Sequence, residues 1–247
     1  MRRFFSDINL QNLSVEITSP EEIHHIRTVL RLNKGDAICL FNKNGDEANV
    51  TLMSVTSQKV CARVDRFLPA TPEGTVPGII LACAIPKKAK FELIVEKTTE
   101  IGVTDIIPII TQRTEIRLND ERAGKKLSRY EKIAVNAAKQ SQRNTIPVIH
   151  PCQTFRDAVN RIAGAGICVI PWLGEEKKPL PEVLMSCRPN TSVMVFIGPE
   201  GDFTPGEVKE AVEAGAIPVS LGKNVLKVDT AALVSVALIR FYCCHAK

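Results

Sequence analysis

No apolar run in this 247-residue chain approaches the roughly 20 residues that a membrane-spanning helix needs. The start, Met1-Arg2-Arg3-Phe4, lacks the apolar core of a signal peptide. These two absences lead us to expect a cytoplasmic protein with no membrane partner. No Cys-x-x-Cys pair and no Cys/His cluster at zinc spacing occurs, so no metal is expected. A P-loop motif, G-x-x-x-x-G-K-[ST], is missing as well. Gly164-Ala165-Gly166 lacks the third glycine and the strand-turn-helix setting of a dinucleotide site, so neither common nucleotide fingerprint applies. Repeats and low-complexity tracts are not visible, and a hydrophobic content of 45% is ordinary for a globular protein.

What the chain does contain is less ordinary. Cysteines stand at positions 39, 61, 83, 152, 168, 187, 243 and 244, most of them inside apolar runs such as Ile38-Cys39-Leu40 and Leu81-Ala82-Cys83-Ala84. They read as small buried hydrophobes of a reducing compartment, not as a disulfide set. The net charge of +5 is confined to one stretch: residues 111–143 carry nine basic and four acidic groups, and the rest of the chain balances. The basic members are Arg113, Arg117, Arg122, Lys125, Lys126, Arg129, Lys132, Lys139 and Arg143. A localised basic stretch is the electrostatic footprint of a nucleic-acid binder, although a solvated helix face has the same composition.

The chain divides by composition at Pro69 to Pro77, PATPEGTVP. Before it, alternating runs at 37–41, 48–55 and 60–67, with Asn44-Gly45 as a hairpin turn, predict a small β-barrel. Ser19-Pro20-Glu21-Glu22 caps a short helix carrying His24 and His25, which read as surface or RNA-facing groups. After the division, strands and helices alternate. Strands are expected at 79–85, 105–110, 146–149, 167–172, 193–197 and 217–221, and helices at 90–101, 125–142, 155–163, 205–214 and 230–242. That alternation predicts an α/β unit with a parallel sheet covered on both faces.

Two segments of this second part point to a ligand. In FIGPEGDFTPGE, Phe196 to Glu207, an apolar strand ends in Gly198-Pro199-Glu200-Gly201 and a helix opens at Thr204-Pro205, with Glu207 three residues after the cap. In VSLGKNVLKVDTAA, Val219 to Ala232, a second strand breaks at Leu221-Gly222 and re-enters a helix at Asp229 or Thr230. Glycine loops after two apolar strands can converge on one pocket at the carboxyl edge of a sheet.

Taken together, these motifs resemble the RsmE family, bacterial ribosomal RNA methyltransferases of the SPOUT superfamily. The resemblance covers nearly the whole chain. It includes Met1-Arg2-Arg3-Phe4-Phe5, His24 to Arg31 with Gly35-Asp36, Lys97 to Val103, Gln140 to Arg143 with Pro147, and the two segments above. It implies a PUA-like RNA-binding barrel over residues 1–72 and a SPOUT trefoil-knot domain over 73–247, in which the carboxy-terminal segment threads through a loop. It also implies methylation of N3 of a uridine in 16S rRNA of the small ribosomal subunit, S-adenosyl-L-methionine as methyl donor, and a homodimer. For the dimer, the apolar Thr230 to Tyr242 helix supplies surface.

The cofactor is expected on three loops: Leu173-Gly174; Ile197, Gly198, Pro199, Glu200 and Gly201; and Leu221, Gly222, Asn224, Val225 and Leu226. Glu200 and Arg143 are the catalytic candidates. Glu200 orients the cofactor or loop, or caps a local turn; Arg143 stabilises the uracilate or holds a phosphate. RNA contacts are expected from Arg2, Arg3, Arg31, Arg113, Arg117, Lys125 and Arg143.

The chain departs from the family pattern in several places. Asp202 and Gln142 stand where glycine is usual, Asn224 where arginine is usual, and Lys139 where glutamate is common. Lys227 and Asp229 replace a usual Arg and Glu with the charge preserved. Asp202 and Asn224 motivate two rival readings, a catalytically silent ribosome-assembly protein of the same fold and a related SPOUT enzyme acting on transfer RNA. Asp202→Gly, which restores the usual pattern, is expected to leave cofactor binding intact or stronger. Gly198→Val and Gly222→Val are expected to place side chains where the adenosine must lie, with folding spared.

Overall fold

The structure, a computed structural model, describes residues 2–70, 78–87, 90–115, 120–175, 177–187 and 191–245. It falls into two compact units, Met1–Pro72 with Ala138–Ile146, and Glu73–Ala137 with Pro147–Lys247.

The first unit contains β1 (Arg3–Phe5), β2 (Ser14–Ile17), α1 (Pro20–His24), β3 (Ala37–Phe41), β4 (Glu47–Val55) and β5 (Val60–Leu68). The strands run in the order β1-β3-β4-β5-β2, with β1 parallel to β3 and the other pairs antiparallel. Asn44-Gly45 makes the predicted β3–β4 turn, with Gly45 at φ 85° and the Asn42 side chain accepting from the Asn44 and Asp46 amides. Register shifts at Asn49/Val50 and Leu52/Ser54 bend the long β4–β5 ladder. The sheet curls around Phe4, Ile26, Ile38, Leu40, Val50 and Leu52. The five strands form the small curled sheet expected from the alternating runs; among the described residues no ladder joins β1 to β2. Ser19 caps α1 through the Glu22 amide, and the chain continues from it into a π-helical turn, His25–Val29.

The second unit contains β6 (Ile79–Ala84), α2 (Lys90–Ile101), β7 (Asp105–Ile110), α3 (Asp120–Gln140, whose residues from Ala138 onward cluster with the first unit), β8 (Val148–Ile149), β9 (Gln153–Thr154), α4 (Phe155–Val159) and β10 (Ile167–Pro171). It continues with β11 (Lys178–Pro179), α5 (Leu180–Met185), β12 (Val193–Ile197), α6 (Pro205–Glu213), β13 (Ile217–Ser220) and α7 (Val228–His245). The sheet order is β11-β13-β10-β12-β6-β7-β8, with β9 also on β7, and every pair is parallel.

Burial on both faces explains the near-continuous apolar runs of β6 and β12. Ala82, Ala84, Met194 and Phe196 pack with Phe155 and Val159 of α4 and Val208 and Ala211 of α6. By the period of two, Leu81, Cys83, Val193 and Val195 face the other way. There α7 lies against β6 and β12 and is itself packed by α2 and α5. The last helix thus follows β13, near one edge of the sheet, and returns beneath its centre.

The expected strands and helices of this unit are present, with ends shifted by a few residues. The sequence reading missed β1, β2 and α5, and the short β9 and β11. Seven cysteines of the described residues are free; Cys39, Cys83, Cys168 and Cys243 are buried, and burial pushes the Cys168 thiol up to about 12. No helix is long and apolar enough to cross a membrane, and no group of three or more His, Cys, Asp or Glu is placed to hold a metal, both statements covering the described residues.

Candidate functional site

Strands β13, β10 and β12 are neighbours in the sheet, and being parallel they send their following loops to the same edge. These loops, with the start of α2 and of α7, enclose a cavity of about 380 Å³, a size typical of small-molecule sites. Ten of the twelve residues expected to bind a cofactor line it: Leu173, Ile197, Gly198, Pro199, Glu200, Leu221, Gly222, Asn224, Val225 and Leu226.

Gly174 and Gly201 do not line it, and each has another reason to be glycine. A Cβ on Gly174 would sit 2.3 Å from the Trp172 ring, so glycine makes room for the indole. A Cβ on Gly201 would lie 3.3 Å from Cδ of Arg113, whose guanidinium donates to the Gly201 carbonyl at 2.6 Å. The sequence reading missed Trp172, a cavity wall and the only tryptophan of the chain, although it adjoins the segment singled out. It also missed Lys90, Lys177, Asp202 and Lys227, which place charge of both signs around the largely apolar wall.

The loop between β12 and α6 is held from several sides. Thr204 and Glu207 form the predicted capping box at the start of α6. The other oxygen of the buried Glu207 accepts from the Gln112 amide at 2.8 Å. Glu200 Oε1 accepts from the Lys87 amide at 2.9 Å, tying this loop to the one that follows β6. Of the two sequence readings of Glu200, the structure thus shows a loop-holding bond, made to a distant amide and not within the turn. Asp202 has φ 59°, and its amide closes a turn on the Pro199 carbonyl at 2.9 Å.

The expected RNA-facing residues separate into groups. Arg2 and Arg31 are exposed in the first unit. Arg3 is not available: its side chain is 14% exposed, pairs with Glu47 at 2.8 Å, donates to the Arg143 carbonyl at 3.3 Å and lies over the Phe41 ring. Its guanidinium is a structural cation of the β1–β3–β4 region, which corrects the sequence reading. Arg143 belongs to the segment that clusters with the first unit, where its guanidinium donates to the Thr145 hydroxyl at 3.1 Å. It is therefore in a different unit from Glu200. Arg117 lies outside the described residues.

On α3, Lys125, Arg129 and Lys132 are exposed and share one helix face by spacing. Arg129 pairs with Glu92 at 2.7 Å. Lys139, counted with the basic stretch from its sequence, instead has a side chain only 14% exposed and pairs with the buried Glu22 at 2.5 Å. The footprint is thus narrower than nine residues.

Comparison with known proteins agrees with this architecture. An RNA methyltransferase domain model matches residues 73–240, and an RNA methyltransferase PUA domain model matches residues 17–65. The first match covers most of the chain and, with the parallel sheet and its edge cavity, defines an RNA methyltransferase. More narrowly, the chain belongs to the family of ribosomal RNA small subunit methyltransferase E. The relative of that name from Bacillus subtilis is 31% identical, the alignment covering 98% of this chain and 96% of the relative. The one from Rickettsia conorii is 28% identical over 96% and 93%.

Two solved structures are also similar. A putative methyltransferase from Legionella pneumophila, in complex with the bound cofactor SAM, superposes with a TM-score of 0.86 at 29% identity, covering 96% of both chains. A ribosomal RNA small subunit methyltransferase E from Neisseria gonorrhoeae bound to S-adenosyl methionine gives 0.83 at 28% identity, covering 96% of this chain and 95% of that one.

Proposed function

We propose that this protein methylates N3 of a uridine in 16S rRNA of the small ribosomal subunit, using S-adenosyl-L-methionine. The observation that carries this reading is the cavity walled by three glycine-containing loops at the carboxyl ends of adjacent parallel strands, in a chain of this family. Apolar side chains of Leu173, Ile197, Leu221, Val225 and Leu226, with the backbone at Gly198, Pro199, Gly222 and Asn224, would hold the cofactor. When bound, it supplies a methyl group activated by an adjacent sulfonium.

Uracil N3 is mostly protonated at neutral pH, so the protein must assist loss of that proton or stabilise the charge left behind. Arg143 is the candidate for stabilising the uracilate or gripping a neighbouring phosphate. Glu200 acts by keeping its loop in place through the Lys87 amide. We assign residues 1–72 to RNA gripping and 73–247 to methyl transfer, with the carboxy-terminal segment threaded as a trefoil knot. The enzyme acts in the cytoplasm as a homodimer paired through the second unit, to which the exposed Phe241 of α7 contributes; a monomeric mass by light scattering at micromolar concentration would contradict the pairing.

The decisive test is mass mapping of methylated nucleotides in a deletion strain. Small-subunit rRNA should lose one N3-methyluridine, and the purified protein should restore it. Loss of a methyl group from transfer RNA, or from no RNA at all, would reject the assignment.

RNA binding is expected to use Arg2, Arg31, Arg113, Arg117, Lys125 and Arg143. Replacing Arg117 and Lys125 by alanine should flatten the log–log salt dependence of rRNA binding by about one unit for each phosphate left without its cation. Cofactor affinity should not change. An unaltered slope in the double variant would remove these two side chains from the interface. Arg113 is a less selective probe, because it also holds the Gly201 carbonyl.

A further inference from the structure

We propose that Asp202 is a positioning residue that fixes the Leu173 wall of the cavity; this rests on the reading of that cavity as the S-adenosylmethionine site. Leu173 is 58% exposed, so packing alone gives its loop little support. Its backbone N–H and C=O are instead each held by a charged side chain. The Asp202 carboxylate accepts from the Leu173 amide at 3.1 Å, and the Lys177 ammonium donates to the Leu173 carbonyl at 3.1 Å. Both of these side chains line the cavity.

The other Asp202 oxygen accepts from the Phe203 amide at 2.8 Å, and Phe203 is buried in the core. One carboxylate therefore joins an exposed loop segment to an anchored one. Hydrogen bonds to an ionised acceptor are stronger than those between neutral groups. Asp202 sits at φ 59°, a left-handed conformation that aspartate adopts more readily than most residues. The clamp has a second consequence. Trp172 and Gly174 flank Leu173, and the indole occupies the space that a side chain at Gly174 would take. Holding the Leu173 backbone therefore also limits where the adjoining indole wall can lie.

The test uses the full-length protein and three forms: parent, Asp202→Gly and Asp202→Asn. Glycine accepts φ 59° without strain, so folding is retained while both carboxylate bonds are lost. The KM for S-adenosylmethionine should rise about tenfold with kcat within about twofold, because the lost interaction acts on binding and not on the transition state. Asparagine offers one side-chain oxygen for two amides, and an intermediate rise of about threefold is expected.

As the sole tryptophan, Trp172 reports directly: its emission in the ligand-free glycine variant should shift to longer wavelength than in the parent. A purely structural Asp202 would change the melting temperature and leave the KM alone. A glycine variant whose KM matches the parent overturns the proposal. Calorimetry on the parent separates the two levels. If the parent binds S-adenosylmethionine and the glycine variant binds equally well, only the Asp202 proposal falls. A parent that binds none overturns the cavity reading and this proposal with it.

Discussion

Valine at position 222 is expected to weaken S-adenosylmethionine binding by about tenfold to a hundredfold with the fold retained. Gly222 has φ 119°, a region closed to residues with a β-carbon and most of all to β-branched ones. A Cβ there would meet nothing within 4 Å, so the penalty comes from the backbone and not from crowding. Forcing such a conformation costs about 1–3 kcal/mol. The Leu221 to Leu226 loop can escape that cost only by moving. It is braced at this point by Ser220, whose hydroxyl accepts from the Gly222 amide and donates to its carbonyl, each at 3.2 Å. Any shift carries Leu221, Asn224, Val225 and Leu226 away from the cavity they line. Calorimetric titration of the folded variant is the check; an unchanged Kd would show that this loop does not hold the cofactor.

Gly198 is a poorer probe, contrary to the expectation from sequence. A Cβ at Gly198 would lie 3.2 Å from the Phe203 ring and 3.3 Å from the Asp202 carboxylate. Phe203 is 1% exposed and packs on Phe155 in the core. Gly198→Val would therefore press on the core as well as the site, lowering stability together with affinity. The expectation for Asp202→Gly is reversed for a similar reason: the usual glycine would remove a carboxylate that bridges two loops.

These reversals mark where the sequence stops being informative. Local signals were legible. The Thr204-Pro205-x-Glu207 cap, the Asn44-Gly45 turn and the apolar runs of the central strands each depend on neighbours within a few residues, and each formed as read. The edge strands β1 and β2 were not legible, because strands of three and four residues are too short to show a period. Nor were long-range partners: the Lys87 amide for Glu200, the Gln112 amide for Glu207 and the Glu47 carboxylate for Arg3.

The departures from the family pattern do acquire reasons. Gln142 and Asp202 stand where glycine is usual, and both have positive φ, 61° and 59°. The glycine preference there is a backbone requirement that these two residues meet with some strain, and Asp202 gains bonds in return. Asn224 lines the cavity, but nothing in the structure explains its replacement of arginine.

Lys139 is a further departure, and removing it should have the largest effect on stability. Lys139→Ala is expected to destabilise the first unit by about 3 kcal/mol. Lys139 and Glu22 have side chains only 14% and 10% exposed, and they pair at 2.5 Å. Among the described residues the second oxygen of Glu22 is buried with no hydrogen-bond partner, so the ammonium is the main compensation for that carboxylate's lost hydration. The ammonium also lies 5.9 Å from the centre of the Phe4 ring, a core residue of the curled sheet.

Alanine would strand the carboxylate, whereas Glu22→Gln in the Lys139→Ala background removes the buried charge and should recover most of the loss. Lys139→Glu, which restores the common family residue, would set two carboxylates together and should be worse than alanine. Chemical denaturation of the single and double variants measures the coupling. A cost for Lys139→Ala below about 0.5 kcal/mol, the range of exposed pairs, would show that the pair is not buried in solution. Because Lys125 and Lys132 remain on the exposed face of α3, the salt slope of RNA binding should stay at the parent value even as stability falls. That separation distinguishes a cation that holds the fold from one that meets phosphate, although the two stand in the same basic stretch of sequence.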